Sequence, residues 1–226
     1  MTKRMMLLAL SVVSAILFAL PAIASATPAH ISATESFTVE KGAVETTILE
    51  TSSGEKMECT KGVTGSGTWH STTTGTVTLE FNDCTVVTPF GTLGCTTHAA
   101  EGGTPVANQI RTTELEFHLI MIAPNTPGTL LTPAAGGVFA HFTCGGGLVT
   151  KTWTGNGLID TTTSPACGVA STTATLKFEQ SATTGLQKHT TYTGVNYHLE
   201  SPAGTKMAVT GEAKIKFPVA KSIVCT

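Results

Sequence analysis

Three ionisable side chains, Glu114, Glu116 and His118, alternate with apolar residues in a stretch whose pattern repeats every two positions. In a β-strand such residues share one face and lie about 7 Å apart. A carboxylate and an imidazole at that separation could act as a general acid and base, or share a cation. The same pattern is also typical of a solvated strand face, which is the interpretation that we favour. The sequence therefore predicts no catalytic residue here.

His141 and Cys144 have the one spacing in the chain that approaches a metal-ligand pair. Side chains three positions apart on a strand point to opposite faces, so we expect no metal site. Phosphate-binding glycine loops and the Gly-x-Ser-x-Gly nucleophile motif are absent from the sequence. A hydrolase in which the fold brings His118, His141 or His198 to a carboxylate is one alternative hypothesis. We interpret the chain as a non-enzymatic protein without a cofactor.

Small-molecule or glycan binding is the other alternative function. Trp69 and Trp153 each follow a glycine-rich turn and could serve as stacking platforms for a ligand, although such residues more often fill the core. Tyr192 and Tyr197 form a second polar aromatic group. A concave apolar pocket that contains either tryptophan would favour a binding protein over a structural one.

The N-terminal segment has the pattern of a secretory signal peptide: a positive start, an apolar run and then small residues. The apolar run is shorter than the roughly 20 residues that span a bilayer. Ala26 is the better cleavage position, with Ala24 as the competitor, so the mature chain is expected to begin at Thr27. We predict a signal-peptide helix within residues 1–26 and an exported chain over residues 27–226, without a membrane span.

All six cysteines follow the signal peptide, and an even number of cysteines in an exported chain predicts disulfides. Six cysteines allow 15 pairings, which the sequence alone does not distinguish. The segment between Cys84 and Cys95 is short and rich in turn residues, so we expect these two to pair. The remaining preferences are Cys59 with Cys144 and Cys167 with Cys225.

Composition and periodicity predict an all-β chain. Charged residues make up 12% of the chain, about half the usual share, and threonine makes up roughly a fifth, which favours strands. Apolar and polar residues alternate at 76–81, 115–121, 173–178 and 213–217, and glycine- and proline-rich turns separate these segments. We predict a single disulfide-stabilised all-β domain over residues 27–226, an antiparallel β-sandwich with a β-barrel as the alternative.

The charged residues argue against nucleic-acid binding. The formal net charge is −2, Arg111 is the one arginine after the signal peptide, and the lysines are scattered apart from Lys214 and Lys216. A phosphate backbone needs a clustered basic face, which this pattern lacks. The two aspartates, Asp83 and Asp160, have turn-like contexts and are interpreted as turn residues. We expect a partner at the cell envelope or outside the cell.

Two cysteine-containing runs carry a resemblance to known proteins. The run that ends at Cys84 is Gly-Thr-Val-Thr-Leu-Glu-Phe-Asn-Asp-Cys, and the run that ends at Cys144 is Gly-Val-Phe-Ala-His-Phe-Thr-Cys. Together with Cys59 and Cys95, they make residues 59–178 similar to a family of uncharacterised exported proteins of soil bacteria. The members of that family are signal-bearing, Thr- and Gly-rich β proteins with cysteines. The resemblance implies export and a β fold, and no particular activity.

Overall fold

The structure is a computed structural model, which describes residues 30–31, 35–89, 91–98, 104–201 and 203–225. The predicted signal peptide and its cleavage position between Ala26 and Thr27 lie outside the described residues. The regular secondary structure of the described residues is entirely β, which confirms the all-β prediction. Over the same ranges, no helix is long and apolar enough to cross a membrane.

The described residues form 19 strands, numbered in chain order. They are β1 His30–Ile31, β2 Ser36–Lys41, β3 Thr47–Thr51, β4 Lys56–Cys59, β5 Val63–Trp69, β6 Thr74–Asn82, β7 Cys84–Thr88, β8 Gly91–Thr97, β9 Gln109–Arg111, β10 Leu115–Ala123, β11 Thr126–Pro133, β12 Val138–Cys144, β13 Val149–Gly155, β14 Leu158–Ser164, β15 Ala170–Phe178, β16 Thr191–Tyr192, β17 Val195–Asn196, β18 Leu199–Glu200 and β19 Lys206–Val224.

Eight strands close into an antiparallel barrel, called here the first barrel. The order around it is β2, β5, β6, β10, β11, β14, β15 and the second part of β19, which pairs again with β2. Each of these strands has a hydrogen-bonded neighbour on both sides, so the circuit leaves no open sheet edge. The molecule therefore adopts the barrel alternative rather than the sandwich. Strand β1 pairs with the end of β19, and β9 pairs with the end of β6.

Eight strands form a second closed circuit, called here the second barrel. Its order is β3, β4, β7, β8, β12, β13, β18 and the first part of β19, which pairs again with β3. The 19-residue strand β19 belongs to both circuits. The chain alternates between the two barrels. Hairpin β3–β4 lies in the second barrel, hairpin β5–β6 in the first and hairpin β7–β8 in the second again.

Aromatic side chains fill both barrels. In the first barrel, Trp69 and Phe117 pack edge to face with ring centroids 4.5 Å apart, and Phe37 lies 5.6 Å from Phe117. In the second barrel, Trp153 packs against Phe142 at 4.7 Å. Burying a ring of this kind stabilises the fold by about 1.5–3 kcal/mol. The interiors are therefore packed cores that hold the outer faces in fixed positions.

Three disulfides use all six cysteines, which confirms the predicted number. Two of the expected pairings, Cys84–Cys95 and Cys59–Cys144, are wrong, whereas the expected Cys167–Cys225 pairing is present. Strand register decides the outcome, because the bonded residues of the second barrel lie directly opposite each other on neighbouring strands. The bonds observed there are Cys59–Cys84 and Cys95–Cys144. Three disulfides are typical of a protein of an oxidising compartment.

Candidate ligand-binding surface

A shallow concavity lies on the outside of the first barrel, across β2, β5 and β6. Two adjoining hollows of about 600 and 760 Å³ share Thr38, Ser66, Thr78 and Glu114 in their walls. We call this surface the hydroxyl trough. The hydroxyl residues of these three strands that line it are Ser36, Thr38, Thr64, Ser66, Thr68, Thr76 and Thr78.

Strand alternation and register place these hydroxyls in rows. Strand β5 contains Thr64-Gly-Ser66-Gly-Thr68, so its hydroxyl side chains face outwards while its glycines face the core. Pairing with β2 and β6 then aligns the rows Ser36–Thr68–Thr76 and Thr38–Ser66–Thr78. Neighbouring positions repeat about every 4.8 Å across the strands and about every 6.7 Å along them.

Glycines beneath the trough allow the aromatic core to reach the strand backbone. A Cβ atom on Gly67 would lie 2.3 Å from the ring of Phe37, and one on Gly75 would lie 2.5 Å from the ring of Phe117. Backbone carbonyl oxygens would lie equally close to both added atoms. A larger residue would displace either the rings or the neighbouring strand. The alternation of glycine and hydroxyl residues therefore fixes the trough directly over the core.

Charged side chains stand at the margins of the trough, mostly in pairs. Arg111 donates hydrogen bonds from Nε, at 3.0 Å, and from Nη2, at 2.7 Å, to Oε1 of Glu80. Lys216 forms an ion pair with Glu40 at 3.3 Å. Glu114 is exposed, and its carboxylate has no partner among the described residues. The trough thus combines many neutral hydroxyls with one spare acceptor, a combination that suits a neutral ligand rich in hydrogen-bonding groups.

A side-chain network holds the Arg111 end of the trough in place. Gln109 Nε2 donates to Asn82 Oδ1 at 2.9 Å, and Asn82 Nδ2 donates to Thr64 Oγ1 at 3.0 Å. Thr64 in turn lies opposite Glu80 in the β5–β6 register. Because these groups are already oriented, a ligand that binds here pays little for ordering them.

The three ionisable residues of β10 and its approach lie on the outer face, as the alternation predicts. Glu114 and Glu116 are exposed and His118 is half-buried. No hydrogen bond or ion pair among the described residues joins the three side chains. The described part of the chain contains no group of three His, Cys, Asp or Glu side chains placed to hold a metal ion.

The histidines named as hydrolase candidates lie in different surroundings. His141 stacks on His98 with ring centroids 4.5 Å apart, while Cys144 is bonded to Cys95, so His141 and Cys144 do not form a ligand pair. His198 Nε2 lies 2.6 Å from Glu200 Oε1. Within the described ranges, His198 Nδ1 is buried without a partner, and no hydroxyl or thiol is hydrogen-bonded to the His198 ring. The pair therefore lacks the nucleophile of a triad.

Both tryptophans point into the barrels, with exposed fractions of 5% for Trp69 and 4% for Trp153. Neither ring is a surface stacking platform. Trp69 lines a cavity of about 40 Å³ in the first barrel, and Trp153 lines a pocket of about 60 Å³ in the second. Tyr192 and Tyr197 pack onto a small apolar cluster on the outside of the first barrel.

Comparison with known proteins leaves the chain without an assigned family. No protein-family model, curated protein or solved structure matches it. The resemblance to exported proteins of soil bacteria therefore stays a prediction.

Asp160 is a fully buried carboxyl group in β14, so its interpretation as a turn residue is wrong. Its Oδ1 atom accepts a hydrogen bond from the backbone N–H of Thr129 at 3.1 Å, whereas Oδ2 has no partner among the described residues. Burial raises the pKa of Asp160 well above its usual value, although the Thr129 contacts oppose the shift. Asp83 does lie in a turn, with a φ of 57°, and accepts a hydrogen bond from Thr60.

The variant Asp160→Asn should remove a pH-dependent part of the folding free energy. Because the folded-state pKa exceeds the unfolded value of about 3.9, the contribution of Asp160 is complete below that pH and is lost as the pH rises through the folded pKa. The loss amounts to about 1.4 kcal/mol for each unit by which the pKa is raised. Urea unfolding from pH 4.5 to 8 should therefore show a fall in wild-type stability relative to the variant.

Two other groups with shifted pKa values do not disturb this comparison. Burial lowers the pKa of His189, which affects wild type and variant alike. Lys177 and Lys188 lower the pKa of Glu179 to about 2, so the stability that Glu179 contributes is lost only as the pH falls below about 4.5. The difference between wild type and Asp160→Asn isolates the buried carboxyl group. Parallel pH profiles for the two proteins would contradict the assignment.

Proposed function

We propose that this protein is an exported, non-enzymatic binding protein that attaches to a neutral polyhydroxylated polymer of a cell surface or extracellular matrix through the hydroxyl trough. The observation that carries the proposal is the pair of aligned hydroxyl rows on the outside of a packed barrel, with paired charges at their margins. This chemistry matches a polysaccharide chain, whose hydroxyl groups both donate and accept hydrogen bonds.

The open shape of the trough favours an extended ligand over a small enclosed one. The two hollows run into each other across three strands and share four lining residues. Each hydrogen bond that replaces water contributes about 0.5–1.5 kcal/mol. A handful of such bonds, without an aromatic platform, corresponds to a Kd of about 0.1–1 mM for a short oligosaccharide. Many trough-sized segments along one polymer would raise the apparent affinity.

Separate features support export and a function without catalysis. The signal-peptide pattern predicts export, and three disulfides suit an oxidising environment. His198 and Glu200 form the one histidine–carboxylate pair described above, and that pair has no adjacent nucleophile. A protein that binds without cleaving accounts for these features together.

Affinity electrophoresis tests the proposal directly. The protein should migrate more slowly in native gels that contain hydroxyethylcellulose, dextran or mannan than in gels without polymer. The triple variant Thr38→Val/Ser66→Ala/Thr78→Val removes one complete hydroxyl row at nearly constant shape. We expect it to weaken binding at least about tenfold, since three hydrogen bonds of about 0.5–1.5 kcal/mol each are lost.

A matched control removes the same number of hydroxyls elsewhere on the first barrel. On β15, Thr172 is exposed, and Thr173 and Thr175 lie on the face opposite the buried Ala174 and Leu176, outside the trough. The variant Thr172→Val/Thr173→Val/Thr175→Val should keep the wild-type retardation. Equal loss of retardation in both triple variants, or no retardation of the wild type by any neutral polymer, would overturn the proposal.

A further inference from the structure

The second barrel contains a pocket of about 60 Å³ that opens at the protein surface. Trp153, Phe142, Met57 and Met207 line its apolar interior, and each of these side chains is at most 7% exposed. The volume holds about four to six water-sized groups, at about 10–15 Å³ for each. Methionine side chains adapt to irregular ligands, because they are unbranched and polarisable. The interior therefore suits the apolar end of a small molecule.

The rim of this pocket carries an ion pair. Lys151, on the same strand as Trp153, donates from Nζ to both carboxylate oxygens of Glu55 at 3.3 Å. The two partners differ in exposure: the side chain of Lys151 is 35% exposed and that of Glu55 is 63% exposed. Glu55 ends the turn between β3 and β4, where its backbone N–H bonds to Thr51 Oγ1 at 2.9 Å. The less exposed Lys151 is thus held in position more firmly than Glu55.

We propose that this pocket binds a small amphipathic carboxylate. An apolar group of four to six non-hydrogen atoms enters the pocket against Trp153, and the ligand's carboxylate replaces that of Glu55 on Lys151. The replacement costs little, because Glu55 is largely exposed and an ion pair with an exposed partner is weak. A ligand with a cationic head would instead have to displace the better-placed Lys151.

The neighbouring lysine at the rim gives a natural comparison. Lys56 also lines the pocket, but it is paired with Glu58 on its own strand at 2.6 Å. Glu58 remains beside Lys56 whether or not Glu55 moves. Lys151 is therefore the cation that a ligand carboxylate would take over, and Lys56 serves as the matched control.

Tryptophan fluorescence tests the proposal with defined probes. The variant Trp69→Phe leaves Trp153 as the one tryptophan of the chain, and titration with hexanoate or phenylacetate should give a saturable change in its emission. Hexanamide should bind about fivefold more weakly, because it lacks the ion pair with Lys151. Isothermal titration calorimetry on the unaltered protein repeats the comparison if Trp69→Phe does not fold.

Variants at the rim distinguish carboxylate binding at Lys151 from non-specific apolar binding. Lys151→Gln should weaken hexanoate binding about fivefold, Glu55→Gln should leave it equal or tighter, and Lys56→Gln should leave it unchanged. No saturable binding of either carboxylate, equal binding of hexanoate and hexanamide, or tighter binding of hexylamine would overturn the proposal. The trough variants do not touch this pocket, so the two proposals fail or stand independently.

Discussion

Replacing Cys95 and Cys144 together by alanine is expected to lower the free energy of unfolding by about 4 kcal/mol. The bond closes a segment with a sequence separation of 49 residues, and losing it restores conformational freedom to the unfolded chain. It also leaves two almost fully buried positions in the second barrel with smaller side chains. Urea unfolding followed by tryptophan fluorescence measures the loss.

The other barrel disulfide provides the comparison for this prediction. Cys59–Cys84 has a separation of 25 residues, so the corresponding double alanine variant should lose about 3.5 kcal/mol. A loss below about 1 kcal/mol in both variants would contradict the expected role of these bonds. Peptide mapping of the unreduced protein is independent of variant folding, and a Cys84–Cys95 cross-link would contradict the strand register.

The second large effect is expected for Phe117→Ala, which should destabilise the protein by about 3–5 kcal/mol. The ring of Phe117 is 3% exposed, contacts Trp69 and Phe37, and lies against the backbone at Gly75. Its removal leaves a cavity that the closed barrel cannot collapse to fill. The free energy of unfolding in urea gives the loss directly.

The next residue on the strand is the matched control. His118 points to the opposite face of β10 and is half-buried, so His118→Ala should change the free energy of unfolding by no more than about 0.5 kcal/mol. Similar losses for Phe117→Ala and His118→Ala would contradict the assignment of the two faces. The comparison also tests whether His118 contributes as little to the free energy of unfolding as other outward-facing residues do.

Local alternation made the strands predictable from the sequence. The segments 76–81, 115–121 and 173–178 lie within β6, β10 and β15, and their alternating apolar residues face the core, whereas Ile120 belongs to the outer cluster beneath the tyrosines. Each pattern reflects a strand with one buried and one outer face, which is a local property. The N-terminal prediction rests on equally local features but lies outside the described residues.

The closure of the barrels was not predictable, because it depends on pairing between distant strands. Sandwiches and barrels use the same alternation, and only the return of β19 to β2 and to β3 decides between them. Two of the disulfides likewise follow from the pairing of β4 with β7 and of β8 with β12. Loop length suggested Cys84 with Cys95, whereas these residues lie on β7 and β8 and each faces a cysteine on another strand.

The candidate site was only partly visible in the sequence. Hydroxyl residues alternate in β2, β5 and β6, a signal that could have identified an outward hydroxyl face, but their alignment into rows depends on register. The interpretation of Asp160 as a turn residue is wrong for a related reason. Three threonines follow it and give the segment a turn-like appearance, yet the segment pairs on both sides within the barrel.

Amide chemical-shift mapping with cellohexaose, a neutral oligosaccharide, tests the central claim most directly. Titration of the unaltered ¹⁵N-labelled protein should shift resonances of β2, β5 and β6 in a saturable manner, with a Kd of about 0.1–1 mM. Resonances of the second barrel and of Thr172, Thr173 and Thr175 should not move. Saturable shifts centred away from the hydroxyl trough would contradict the account. So would the absence of saturable shifts with cellohexaose and with the corresponding hexamers of mannan and dextran.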